Sequence, residues 1–380
     1  MYNKSASLSG LYVHIPFCRS KCDYCSFYSV PEADSAYTAA LYIKRLIAEL
    51  ESFRHDFGAV ELDTVYAGGG TPSILSNADM SLLLEAVFSL FTVADGAEVT
   101  AEMNPDDLSG EKLGGFMAAG VNRIVLGIQS GFVKHRQTLG RRGRNCTESD
   151  LELFFSARGL TRCMDFIAGI PGQTAADIDA DFAIIRKFRP EHVSLYMLSV
   201  EPGTPLEARI ESGGEFEDSQ LFVWEHAIHS LKSLGYRHYE ISNFALPGCE
   251  SRHNMKYWNF APYLGAGPGA HSYFNGLRFS NPASLDEYMR QGEFRRIFDH
   301  RSEEQLLVEF IMTAFRRLDG FSPDEYTALT GKPLPREITT KLREKADEGL
   351  ITSENGLLRL SEKGIFLADR VIYDIVEPFL

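Results

Sequence analysis

The feature that most constrains this chain is a rhythm repeated over its first 200 residues. Short β-branched or aromatic runs end in turn residues and are followed by longer stretches with apolar side chains at three- and four-residue spacing. Strands are predicted at Leu11–Ile15, Thr64–Ala67, Val99–Met103, Arg123–Ile128, Met164–Ala168 and His192–Leu198. Helices are predicted between them, at Ser35–Phe57, Asn77–Phe91, Ser109–Ala119, Thr147–Arg158 and Thr174–Phe188, with Gly120 suited to a helix stop. Strands separated by helices pair in parallel through right-handed crossovers. The outcome is α/β: either an open doubly wound sheet or a partial barrel.

In both architectures ligands gather at the C-terminal strand ends. The sequence places polar and glycine-rich features there repeatedly. Cys18–Cys25 follow the first strand and Gly68–Ser73 the second, Glu102–Asn104 close the third, Gln129 ends the fourth, and Gly169–Gln173 follow the fifth. One shared site is the economical explanation. After Val200 the rhythm changes. Ser219–Leu234 reads as helical, Arg237–Phe244 as extended, and Ala245–Ser280 as a long stretch without period, rich in Gly, Pro, His and aromatics. Helices resume from Ser302, and Leu350–Ser353 and Leu357–Leu360 flank Glu354-Asn355-Gly356, a type I′ hairpin signal of winged-helix character. The expected organisation is a barrel over 1–235, an extension over 236–300 and a winged-helix-like domain over 301–380.

Thirty-eight basic against 52 acidic side chains give a net charge of −14, which repels phosphate backbones and argues against nucleic acid as a partner. No apolar run approaches the roughly 18–20 residues of a membrane span. Met1–Gly10 lacks a signal-peptide core, so a cytosolic protein is expected. Of six cysteines, Cys18, Cys22 and Cys25 fall within eight residues, spaced C-x3-C-x2-C. Zinc sites normally take four protein ligands from paired pairs, and no second C-x2-C follows. Thiolates are the usual ligands of iron–sulfur clusters, and three would leave one iron of a cubane open for an exchangeable ligand.

With this motif after its first strand the chain resembles the radical SAM superfamily. That resemblance implies a partial six-stranded, TIM-like barrel and a 4Fe–4S cluster on Cys18, Cys22 and Cys25. The open iron would be chelated by S-adenosylmethionine, whose reductive cleavage gives a 5′-deoxyadenosyl radical. Further motifs are similar to the oxygen-independent coproporphyrinogen III oxidase family: Tyr12-Val13-His14-Ile15-Pro16-Phe17-Cys18, Gly68-Gly69-Gly70-Thr71-Pro72-Ser73, Glu102-Met103-Asn104-Pro105, Gly127-Ile128-Gln129-Ser130 and Gly169-Ile170-Pro171-Gly172-Gln173-Thr174. By resemblance Gly69, Gly70 and Thr71 hold the methionine end of the cofactor. Glu102 binds its ribose hydroxyls, Tyr12, Gln129, Arg141 and Asp165 are further contacts, and Tyr24 backs the cluster and adenine. Gly265–Ala270 lacks the dinucleotide spacing and reads as a turn near the barrel mouth.

Within that family the oxidases carry a fourth cysteine two residues after the third, where this chain has Phe27, and a longer N-terminal arm. Both departures speak against coproporphyrinogen decarboxylation and resemble the heme-chaperone branch, as does His253-Asn254-Met255-Lys256-Tyr257-Trp258. Imidazole is a good axial ligand for heme iron, which makes His253 a candidate ligand and heme a candidate third cofactor. The resemblance implies delivery of heme to an apo-hemoprotein, such as a membrane respiratory enzyme, with peripheral membrane contact during transfer. The competing reading is a radical enzyme acting on a porphyrin, by coproporphyrinogen oxidation or heme degradation.

Overall fold

A computed structural model describes residues 8–210, 214–290 and 292–380, with side chains at 214–218 left aside. All six predicted strands form: β1 (Ser9–Ile15), β2 (Glu61–Gly69), β3 (Thr92–Met103), β4 (Arg123–Gln129), β5 (Thr161–Ala168) and β6 (His192–Met197). They lie side by side in chain order, every neighbouring pair parallel. The crossover helices include α1 (Ala39–Phe57), α2 (Asn77–Leu90), α3 (Gly110–Ala118), α4 (Val133–Thr138), α5 (Glu148–Ser156), α6 (Ala175–Phe188) and α7 (Gly214–Ser233). Their starts are written locally. Thr38, Ser76 and Ser109 cap α1, α2 and α3, and Thr147–Asp150 and Thr174–Asp177 form capping boxes on α5 and α6.

Period-2 alternation sorts the strand side chains. On β1, Leu11, Val13 and Ile15 join the buried core with Tyr42, Leu46, Leu50 and Phe53 of α1. Tyr12 and His14 face the other way, where Tyr66 of β2 stacks on Tyr12. One face of the sheet thus packs on helices, while the other carries polar and aromatic groups into the barrel.

The segment that reads as irregular adds half of the sheet. Among the described residues the main sheet has twelve strands, six of them parallel in chain order and six from residues 237–299. On one side, β7 (Arg237–Glu240) and β8 (Asn243–Ala245) extend β6 antiparallel. On the other, β9 (Tyr263–Ala266) pairs parallel with β1 and is followed outward by β10 (His271–Phe274), β11 (Leu277–Ser280) and β12 (Ile297–Asp299). These strands are three or four residues long, too short to show an alternation in sequence. Between the two flanks, α8 (Arg252–Trp258) carries the histidine hexad. From Leu307 to Val376 a separate hydrophobic core is built by helices and the hairpin β13 (Ile351–Glu354) and β14 (Leu357–Leu360). Asn355 and Gly356 both take positive φ, 51° and 78°, as a type I′ turn requires.

The Gly265–Ala270 turn is held by a buried carboxylate. Glu49 of α1 accepts from the Gly267 N–H (2.8 Å), Asn281 Nδ2 (2.5 Å) and Tyr288 Oη (2.6 Å). Gly267 has φ 99° and lies so close to β1 that a Cβ there would sit 2.8 Å from the His14 carbonyl oxygen. Burial pushes the Glu49 carboxyl up, and its three donors oppose that shift. Glu49→Ala would strand these buried donors and is expected to cost about 2–4 kcal/mol of stability. A lowered urea midpoint, with Glu49→Gln losing less, checks this.

Candidate functional site

The register of β1 and β2 sets the site. Ile15 stands opposite Gly69 at the C-terminal strand ends. Beyond it the Gly70 N–H donates to the Ile15 carbonyl (2.7 Å) and the Thr71 N–H to the Phe17 carbonyl (2.8 Å). The glycine turn is therefore stitched to the start of the cysteine loop. A Cβ on Gly70 would lie 2.5 Å from the Phe17 oxygen, and Gly69, at φ 110°, has the His14 ring 2.5 Å from where its Cβ would be. Only glycine permits this approach.

The three cysteines of the motif lie on that loop within electrostatic reach of one another. Thr71 Oγ1 donates to Cys18 Sγ (3.5 Å), and the Cys25 N–H donates to the Cys22 carbonyl (3.2 Å). Burial pushes the Cys22 thiol up, opposed chiefly by Arg141, and the neighbouring cysteines push it further. Cys25 is raised for the same first reason and lies within electrostatic reach of Cys18. As free thiols the pair is protonated, so a metal must displace protons to bind. Among the described residues no three His, Cys, Asp or Glu side chains are gathered as for a single metal ion. A cubane bound through one thiolate per iron does not need such a gathering, and this donor set fits it. The loop is anchored on both sides: the Asp23 N–H donates to the Leu139 carbonyl (3.0 Å), and Arg19 pairs with Asp107, which also accepts from Ser73 Oγ (2.6 Å).

Glu102, Gln129, Arg141 and Asp165 meet inside the same barrel end. Tyr66 Oη donates to Glu102 Oε1 (2.8 Å). Burial first, then the nearby Asp165, pushes the Glu102 carboxyl up to about 7, with Tyr66 and the Gly69 N–H opposing. Burial likewise raises Asp165 to about 6, against Ser194, Arg141 and Arg123. One Asp165 oxygen, Oδ1, is buried without a partner, the mark of an acceptor awaiting a donor from a bound group. Gln129 holds φ 66°, a strained value for a non-glycine residue, and its amide and the Arg141 guanidinium both come to within 3.2 Å of the place a Gly127 Cβ would occupy. Arg141 Nη2 also donates to the Gly127 carbonyl (2.8 Å) and lies beside Cys22 and Tyr24. Glycines that leave backbone exposed, an orphaned carboxylate oxygen and a guanidinium next to the thiols together suit an amino acid joined to a nucleoside.

Two residues escaped the sequence reading. His14 bridges Tyr12 Oη (3.0 Å) and the Tyr28 carbonyl (3.0 Å); burial lowers it to about 4, so it is neutral, with Nε2 donating and Nδ1 accepting. Tyr66 is the other. Both lie two residues from a recognised position on the same strand face, Tyr12 and Gly68, and that alternation was the available signal.

His253, the candidate heme ligand of the sequence, is carried by α8. It is 1% exposed, at the opposite end of the barrel from the cysteines, with Nδ1 bonded to Thr64 Oγ1 (2.9 Å) and Nε2 to Tyr257 Oη (2.9 Å). Burial lowers it to about 3. The hexad packs against Gly10 of β1, Thr64 of β2 and Glu98 of β3, whose carboxylate accepts from the His253 N–H (3.0 Å).

Residues 12–185 match the model of the radical SAM superfamily, and residues 302–367 match the HemN C-terminal domain. The protein "Heme chaperone HemW" of Lactococcus lactis is 30% identical over 371 residues, covering 95% of this chain and 95% of its own length. Its namesake from Bacillus subtilis is 30% identical over 379 residues, covering 96% and 98%. The chain belongs to the HemW family. The HemW of Escherichia coli is 31% identical, covering 94% of this chain and 98% of its own. Among solved structures, coproporphyrinogen III oxidase (HemN) from Escherichia coli, a radical SAM enzyme, superposes with a TM-score of 0.79 at 20% identity, covering 98% of this chain and 90% of that one, which establishes the shared fold. As a radical SAM protein this HemW-family member takes a 4Fe–4S cluster and S-adenosylmethionine as cofactors. Among the described residues no helix is long and apolar enough to cross a membrane.

Replacing Cys18, Cys22 or Cys25 by Ala is expected to remove most iron and sulfide from anaerobically reconstituted protein, while Cys146→Ala leaves both in place; metal analysis and visible absorption check this. Cofactor affinity should also depend on pH. A carboxylate accepts ribose hydroxyls and a protonated carboxyl does so poorly, so with Glu102 near 7 binding should weaken about tenfold from pH 8 to pH 6. Calorimetry should show a shallower dependence in Glu102→Gln, with the remainder from Asp165.

Proposed function

We propose that the protein receives heme and passes it to an apo-hemoprotein, acting as a chaperone and not as a porphyrin oxidase. The supporting observation is that a loop with three thiols, a glycine turn and buried carboxylates share one barrel end, in a chain that resembles heme chaperones over nearly its full length. Cys18, Cys22 and Cys25 would hold the cluster. Gly69, Gly70 and Thr71 would seat the amino-acid end of S-adenosylmethionine, Glu102 its ribose, and Tyr12, Tyr24, Gln129, Arg141 and Asp165 the remaining contacts. The bound pair supplies one-electron chemistry. The chain's own groups orient it: Arg141 beside Cys22 offers charge to a carboxylate, and neutral His14 braces the glycine turn.

At the position of the oxidases' fourth cysteine stands Phe27, 69% exposed, which supplies no thiol. Phe27 on the cysteine loop and Tyr196 and Met197 at the end of β6 are exposed large apolar side chains at the strand-end side of the barrel. They are the surface we assign to a flat apolar macrocycle. In this reading His253, enclosed with both nitrogens engaged, is assigned to the barrel floor. We further propose a cytoplasmic protein that meets a membrane respiratory enzyme peripherally to deliver its cargo.

The test is anaerobic incubation of reconstituted protein with reductant, S-adenosylmethionine, heme and membrane vesicles holding a heme-depleted respiratory oxidase. Unaltered heme on the oxidase, with recovered oxygen consumption, is expected, and coproporphyrinogen should yield no protoporphyrinogen. Deoxyadenosine accumulating in step with a modified porphyrin would replace this reading by the enzymatic one.

A further inference from the structure

The histidine hexad forms the floor of the barrel, and its contacts lead to the cofactor end. Helix α8 is riveted beneath the strands. Lys256 Nζ donates to the Leu8 carbonyl (2.9 Å) and pairs with Asp63 (2.6 Å), and Arg252 donates to the carbonyls of Gly96 (2.9 Å) and Asp63 (2.8 Å). Gly10 admits the helix: a Cβ there would lie 2.8 Å from Lys256 and 3.2 Å from His253. On this platform the His253 ring is locked by Thr64 and Tyr257, and it lies nearly parallel to Tyr66, with centroids 5.2 Å apart and planes 27° apart. The other neighbour of Tyr66 is Tyr12, at 6.2 Å and 29°. The Tyr66 ring therefore stands among fixed aromatic rings, and its hydroxyl points one way, to Glu102.

We infer that His253 and Tyr66 are positioning residues for the cofactor site: the hexad's histidine fixes the plane of Tyr66, and the Tyr66 hydroxyl fixes the rotamer of Glu102 that receives the ribose. A carboxylate free to rotate in a barrel end loses the pre-set geometry on which two simultaneous hydrogen bonds depend, and rigid support for such a group is what gives a site its selectivity. The hexad, read in sequence as a heme ligand, thereby acts on the nucleoside at the other end of the barrel. This rests on the assignment of Glu102 to the ribose.

The experiment measures calorimetric affinity for S-adenosylmethionine, its 2′-deoxyribosyl analogue and methionine, on cluster-loaded wild type, Glu102→Ala, Tyr66→Phe and His253→Ala. Tyr66→Phe keeps the ring and loses only the hydroxyl, so it leaves the packing in place. Wild type should prefer the ribosyl ligand about tenfold, as expected for one charge-assisted hydrogen bond. In Tyr66→Phe and His253→Ala the preference should shrink to about twofold, with methionine affinity and iron content unchanged. His253→Asn, which can keep a bond to Thr64 but loses the ring, replaces His253→Ala if the latter does not retain its cluster. Full wild-type discrimination in Tyr66→Phe, or in the decisive His253 variant, overturns the inference. Loss of heme binding without loss of ribose discrimination in that variant would return the hexad to heme. Undiminished discrimination in Glu102→Ala would instead overturn the ribose assignment beneath it.

Discussion

The parallel register between β1 and β2 is the constraint on which the rest depends. It sets Ile15 level with Gly69, so that two backbone hydrogen bonds join the glycine turn to the residues leading into Cys18. Neither segment has an intrinsic reason to hold its shape: one is a loop between cysteines, the other a run of three glycines with high conformational entropy. Paired, they become a rigid edge. The cost of ordering them is offset in the strands behind, whose outer faces bury Leu11, Val13, Ile15, Leu62 and Val65.

The inside of the barrel obeys different rules from its outside. Outward strand faces carry aliphatic residues that any compact barrel needs. Inward faces carry Tyr12, His14, Tyr66, Glu102 and Asp165, which are costly to bury and are tolerated because they bond one another or await a ligand. Two carboxyls raised by burial, Glu102 further by the nearby Asp165, with one oxygen unpaired, are a source of instability in the empty protein. Ligand donors that satisfy them convert that instability into affinity, since binding to the folded state alone stabilises it.

The strands and helix of residues 237–299 show how a barrel of six strands is finished. A partial barrel leaves two open edges, and exposed edges invite association. Here β8 covers the β6 side and β9 the β1 side, while α8 closes the floor between them. The same segment carries the Gly267 turn that Glu49 fastens against the backbone of His14. Barrel closure and cofactor-site geometry are therefore the work of one stretch of chain.

Much of this was legible in sequence. Hydrophobic period located six strands and their helices because each is long enough to show its pattern. Cysteine spacing and the glycine turn pointed to the candidate site, because few chemistries use those residues so close together. Asn355-Gly356 specified a type I′ turn, since few other residues adopt positive φ at both places. What sequence could not carry was information that exists only between distant segments. The strands of 237–299 are too short to have a readable period, and what makes them strands is a neighbour to pair with. His253 was read by its chemistry as a ligand, yet its environment is set by Gly10, Thr64, Tyr66 and Glu98, which lie at least 155 positions away. A side chain's intrinsic chemistry is written at its own position. Whether that chemistry is offered to a ligand or spent on a buried hydrogen bond is decided by what the fold packs around it.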